Sequence, residues 1–251
     1  MPLNTSQAEH YKRDGYFSGI PIADQAEAKR YRQQFDELET KVGRETAQIG
    51  LVDYHFQEKF IWELATHPRI LDGIEAVIGP NILLLATHFF CKYGEDGRQE
   101  KFVAWHQDVT FWGLEPPLAV TAWYAVDDAD QENGCMRVIP GTQVNGIQEH
   151  GKADQDGNLL SINQEVPVTE ADEARAVDIV LKAGEMSIHD GTLIHGSLPN
   201  QSDRRRCGLT LRYVPPYVKQ SDINSMGTRW KAILVRGEDT EGNFENIPAP
   251  F

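Results

Sequence analysis

The chain has 251 residues and a formal net charge of −14; this length suits one domain with a full hydrophobic core, and the charge disfavours nonspecific contact with nucleic acid or anionic membranes. Hydrophobic residues make up 40% and charged residues 25%, the composition of a folded soluble protein, and no run approaches the roughly 18 apolar residues that would suggest a membrane span. The three cysteines, Cys91, Cys135 and Cys207, contain no CxxC pair, so a disulfide framework is not expected and a cytoplasmic setting is.

The amino terminus is polar from its fourth residue and lacks an apolar signal core. The first eighty residues read as helical. Asp24 is expected to cap a helix over 24–40, with Glu27 completing a capping box, and Tyr31, Phe35 and Leu38 recur along it at helical spacing. A second helix is expected over 57–78, ending at Gly79-Pro80. Short strands follow at 82–92, 102–106, 119–126, 136–139, 178–181, 185–189 and 206–215, separated by turn clusters such as GEDGRQ, DDADQENG and PNQSDRR. Helices first and strands afterwards predict an α+β or mainly β layered fold rather than βαβ units. The polar stretch 145–176 is too long for an ordinary connection and reads either as a lid near a site or as a surface insertion.

Chemistry concentrates in two places. His106-Gln107-Asp108 follows an apolar stretch, and alternate residues of a strand point the same way, so both side chains can face one site. Further along, His189 and His195 are both available, with His195 better placed because Gly196 allows close backbone approach. Two imidazoles and a carboxylate can hold one Fe(II) and leave coordination positions open. An isolated HxD tripeptide is also what a solvated surface pair looks like. On the last predicted strand Cys207, Leu209, Leu211 and Tyr213 form one face, expected under the helices. Arg206, Gly208, Thr210 and Arg212 form the other, expected to turn into a barrel that holds a charged ligand. Arg206 can pair bidentately with a carboxylate such as that of 2-oxoglutarate, with Ser197 adding a hydrogen bond. Arg212 suits either an anionic substrate group or a structural ion pair. Phe111 and Trp112 are placed to border the mouth, and His55 lies on a segment that could reach it.

The stretches WHQDVTFWGLEPPLAVTAWYAVDDADQENGCMRVIPGT and HDGTLIHGSLPNQSDRRRCGLTLRY strongly resemble the phytanoyl-CoA dioxygenase family of Fe(II)/2-oxoglutarate oxygenases. The similarity runs from about Tyr11 to Tyr213, and the combination of HxD, ENGC-x4-PG and HGS-x8-R is far more specific than any one element. It implies a double-stranded β-helix, a jelly-roll whose two sheets enclose the metal. One domain would then span 1–251, with a helical part over 1–80, the jelly-roll over 81–215 and a C-terminal extension over 216–251. The resemblance also makes His106, Asp108 and His195 the iron ligands, Arg206 the partner of the 2-oxoglutarate tail, and Ser197, Trp123 and His88 lining positions of the co-substrate pocket.

In related chlorinating enzymes a small residue replaces the aspartate; with Asp108 intact, hydroxylation using O2 is expected here. The C-terminal stretch resembles bacterial small-molecule members, which implies a small polar metabolite as substrate: an amino acid, an aminophosphonate or similar. An iron oxygenase without 2-oxoglutarate and a non-catalytic metal-binding jelly-roll are the alternatives.

Overall fold

A computed structural model describes residues 3–94, 101–224 and 227–251. The helices are α1 (Thr5–Asp14), α2 (Gln25–Val42), α3 (Arg44–Ile49), α4 (Lys59–Ala65), α5 (Pro68–Ile78) and α6 (Glu170–Glu173). The strands begin with β1 (Tyr16–Pro21), β2 (Ile82–Lys92), β3 (Val103–His106), β4 (Leu114–Glu115), β5 (Val120–Ala125), β6 (Met136–Val138), β7 (Gly151–Lys152) and β8 (Gln164–Glu165). They continue with β9 (Val177–Ile179), β10 (Glu185–Asp190), β11 (His195–Ser197), β12 (Arg206–Val214), β13 (Lys219–Gln220), β14 (Lys231–Arg236) and β15 (Glu245–Asn246). Most of the turn expected at GEDGRQ lies outside the described residues.

Local chemistry explains where the helical region departs from expectation. Asp24 caps α2 by accepting the Glu27 backbone N–H at 2.9 Å, but the reciprocal half of the capping box is not formed. The Glu27 carboxylate turns instead to the Tyr31 hydroxyl and the Arg30 guanidinium. The single helix expected over 57–78 is two. Pro68 has no N–H to donate back into α4, so it becomes the first residue of α5, with His67 capping through the Arg69 N–H. The region is also not wholly helical. Gly15, at φ 81°, stops α1, and the chain then extends as β1, burying Tyr16 and Ile20.

Seven strands form the larger sheet, in the order β1-β10-β5-β12-β2-β14-β15; four form the smaller, β3-β11-β6-β9. The two face each other as a double-stranded β-helix, because residues of both line one central cavity. Helices cover the outer face of the larger sheet. There Cys207, Leu209, Leu211 and Tyr213 pack with Phe35, Ile61, Leu64, Ile70 and Ile74 in one buried cluster, and the Tyr213 hydroxyl donates to the Ala65 carbonyl at 2.8 Å.

A register shift between β12 and β2 leaves Leu85 as an extra residue, which reverses the alternation of β2. Leu84 packs outward before it and Phe89 and Cys91 after it, so His88, Phe90 and Lys92 fall on the inner side. The 216–251 segment is more than an appendage: β14 pairs antiparallel with β2 and extends the larger sheet. The 145–176 segment runs along β3, held by Leu159 N–H to Phe102 O and Val166 N–H to Trp105 O, both backbone bonds. No helix among the described residues is long and apolar enough to cross a membrane.

Candidate metal centre

Three side chains from three places in the chain converge inside the β-helix. His106 is the last residue of β3 and His195 the first of β11, and the two are paired directly across the smaller sheet. Asp108 lies beyond the strand end, at the start of a 3-10 turn. Gln107 stays extended (φ −119°, ψ 131°) and keeps the two ligand-type side chains on one side. One ligand atom from each of His106, Asp108 and His195 lies within 4.8 Å of the others. Gly196 is needed here, since a Cβ would sit 2.8 Å from the Val103 carbonyl.

The tautomers are set by the backbone. His106 Nδ1 lies 2.9 Å from the Ala104 carbonyl and His195 Nδ1 lies 2.9 Å from the Leu193 carbonyl. A carbonyl can only accept, so each Nδ1 carries the proton and each Nε2 presents a lone pair. Those two Nε2 atoms face Asp108 Oδ1 at 3.6 and 3.9 Å. Two lone pairs and a carboxylate oxygen with no proton between them form a donor set that a divalent cation would complete. Asp108 Oδ2 is engaged separately, by the Thr121 hydroxyl at 2.7 Å and by His189 Nε2 at 3.4 Å, which leaves Oδ1 free. Burial would raise the Asp108 pKa, but the surrounding imidazoles of His106, His189 and His195 and the Arg212 guanidinium outweigh it and hold the carboxyl well below its usual range. Burial, followed by the neighbouring imidazoles, pushes His195 down, which favours the neutral ligating form.

A cavity of about 40 Å³ adjoins this centre, lined by Thr121, Trp123, Ser197, Arg206, Thr210 and Arg212 among others. Arg206 is buried. It donates from Nε to Gly134 O at 3.0 Å and from Nη2 to Ser197 Oγ at 3.4 Å, and its guanidinium lies 5.5 Å from the Trp123 ring centre. The expected inward face of β12 is therefore the face that lines the cavity. A second cavity of about 180 Å³ shares His106, Asp108, Phe90 and Arg212 with the first and opens outward past Trp112, Trp230, Leu159 and Asp53.

Arg212 bridges the two cavities. Its guanidinium lies 5.2 Å from the Trp112 ring centre, while its Nε is buried without a hydrogen-bond partner among the described residues. His88 sits away from Arg206, in the wall of the outer cavity, with Nε2 2.6 Å from the Ile49 carbonyl. Burial, with the Arg212 charge, lowers its pKa to about 4.

His55 is the candidate that the structure removes. It is buried, with Nδ1 2.9 Å from Thr87 Oγ1, and lines neither cavity; because the reversed alternation of β2 turns Thr87 outward, its partner lies behind the wall. Two residues near the centre were not anticipated. Thr121 shares its strand face with Trp123, and Lys92 shares the inner face of β2 with Phe90, so strand alternation was the available signal for both.

A family model described as phytanoyl-CoA dioxygenase (PhyH) matches residues 11–208. The peroxisomal phytanoyl-CoA dioxygenase of Homo sapiens is 25% identical over 234 residues, covering 84% of this chain and 68% of that one. Among solved structures, the non-heme monooxygenase ThoJ superposes with a TM-score of 0.77 at 29% identity, covering 97% of this chain and 87% of that one. CytC3 with Fe(II) and alpha-ketoglutarate superposes with a TM-score of 0.71 at 24% identity, covering 98% and 93%, a likeness that speaks to fold.

Proposed function

Because the chain belongs to the phytanoyl-CoA dioxygenase (PhyH) family, we propose that it is an Fe(II)- and 2-oxoglutarate-dependent dioxygenase that hydroxylates a small polar metabolite, such as an amino acid or aminophosphonate, with release of succinate and carbon dioxide. The observation that carries this reading is the convergence of His106, Asp108 and His195 within 4.8 Å, beside a cavity walled by buried Arg206. In it, His106, Asp108 and His195 hold the iron. Bound iron supplies the activation of O2 and the oxidising power, which no side chain provides.

The protein's own groups bind, orient and exclude. Ala104 and Leu193 fix the imidazoles through their Nδ1 protons, and Thr121 fixes Asp108 so that Oδ1 faces the metal. Arg206 meets the far carboxylate of 2-oxoglutarate as a charge-assisted partner, Ser197 adds a hydroxyl, and Trp123 forms the apolar side of that seat. His88, neutral at physiological pH, walls the outer cavity. With the carboxylate present at 108, hydroxylation is favoured over halogenation.

The substrate class rests on the outer cavity. Arg212 brings a cation with an unpartnered Nε to the iron side, and Asp53 brings an acid into the same lining. One small cavity holding both signs suits a molecule that carries both charges, and about 180 Å³ suits it better than an acyl-CoA. Trp112 supports Arg212 by stacking. Residues 159–164 cover the same cavity and act as its lid.

Anaerobic Fe(II) plus 2-oxoglutarate should give a visible charge-transfer band that Asp108→Ala and Arg206→Ala weaken. Succinate release stimulated by one member of a panel of zwitterionic metabolites should then identify the substrate. Folded, iron-loaded protein that shows no band would overturn the co-substrate assignment; a band without stimulation by any zwitterion, but with stimulation by an acyl-CoA, would overturn the substrate class.

A further inference from the structure

Next to Ser197 two cationic side chains are buried together with no acid in ion-pair contact among the described residues. Lys92 and Arg206 are 1% and 2% exposed, and among the described residues neither forms an ion pair. Lys92 Nζ donates to Ser197 Oγ at 2.6 Å, to Gly134 O at 3.3 Å and to Leu198 O. Arg206 shares two of those acceptors, Gly134 O and Ser197 Oγ. The donors from Lys92 and Arg206 occupy both lone pairs of the Ser197 hydroxyl, so its remaining capacity is its own proton. No described group of the protein accepts that proton. Ser197 lines the inner cavity and Lys92 does not.

From this arrangement we infer that Lys92 is a positioning residue for the co-substrate: it directs the Ser197 hydroxyl proton into the cavity and places a second positive charge behind the carboxylate that Arg206 grips. The inference rests on the reading of the Arg206 end as the seat of the 2-oxoglutarate tail. A site with two buried cations and no ion-paired acid among the described residues is electrostatically incomplete, and a carboxylate guest supplies the missing charge. Burial and then the Arg206 charge push the Lys92 pKa downward, a push that a carboxylate guest would offset. A purely structural lysine, bracing the Gly134 and Leu198 loops, would not distinguish between guests with and without that carboxylate.

The test compares two keto acids of equal chain length on the anaerobic Fe(II) protein: 2-oxoglutarate, and 2-oxovalerate, which lacks the far carboxylate. Affinity is read from the charge-transfer band and from the shift in thermal unfolding. Lys92→Met should weaken 2-oxoglutarate by about tenfold, as expected for loss of one charge-assisted contact, and leave 2-oxovalerate within about twofold. Lys92→Arg, which keeps the charge, should recover most of the loss. If methionine at this position prevents folding, Lys92→Gln keeps two N–H donors without the charge and should show the same selective loss. Equal weakening of both keto acids, or no weakening of either, overturns the assignment. Arg206→Met separates the two levels: selective loss there but not at position 92 overturns only the role of Lys92, whereas no loss at either position overturns the seat itself.

Discussion

Gly208 offers a sharp perturbation of the cavity that leaves the candidate ligands untouched. It sits on the inner face of β12, where a Cβ would overlap the indole of Trp123. That ring is 5% exposed and is backed by Tyr16, Ala125, Cys135, Met136 and Leu193, so its way out is into the inner cavity. Gly208→Ala should therefore cost about 1–3 kcal/mol as an overpacking change. In a chain of this size that lowers Tm by about 2–12 °C. The displaced indole should take space from the keto acid and disturb the guanidinium stacked beside it, weakening 2-oxoglutarate by at least about tenfold. Metal affinity should hold, because His106, Asp108 and His195 lie on other elements. Thermal unfolding and anaerobic titration of the charge-transfer band measure the two effects, and adding Trp123→Phe should restore part of the lost stability. Wild-type stability and wild-type keto-acid affinity in Gly208→Ala would refute the reasoning.

Three further outcomes follow from single contacts. Arg212→Gln should reduce kcat/KM for an anionic or zwitterionic substrate by about 10- to 100-fold, as loss of a charge-assisted contact does, while leaving the charge-transfer band of the keto-acid complex in place; steady-state kinetics and the band together check this. His55 is held neutral by burial, its pKa lowered from 6.5 to about 4. Its contribution is present above pH 6.5 and is lost as pH falls towards 4, because the unfolded chain takes up the proton first. Urea unfolding at pH 7 and pH 5 should differ by about 2 kcal/mol from this residue, and His55→Gln should flatten that difference. Tyr213→Phe leaves the Ala65 carbonyl without its buried donor and should cost about 1–2 kcal/mol by denaturant titration, with activity unchanged.

These expectations draw on two kinds of information. The alternation of Cys207, Leu209, Leu211 and Tyr213 against Arg206, Gly208, Thr210 and Arg212 was legible directly, because a strand sorts its side chains with period two whatever it packs against. Ser197 and Trp123 came into view as pocket-lining residues through the motif resemblance instead. On β2 strict alternation does not hold along the whole strand, because the extra residue at Leu85 shifts the register. Helical periodicity misled at 57–78, where the missing N–H of Pro68 divides one expected helix into two.

The amino-acid order alone determined which donor types are available and which faces of the strands carry them, since both follow from residue chemistry and local geometry. It favoured His195 over His189 through Gly196, but did not show what each imidazole would face. Tertiary structure separates them: a backbone carbonyl fixes the His195 tautomer and aims its lone pair at Asp108 Oδ1, whereas His189 approaches Oδ2 from the other sheet. The pairing of Lys92 with Ser197, and the return of the C-terminal strand onto β2, were likewise decided by contacts between distant segments. Such contacts leave no local periodicity for a sequence to display.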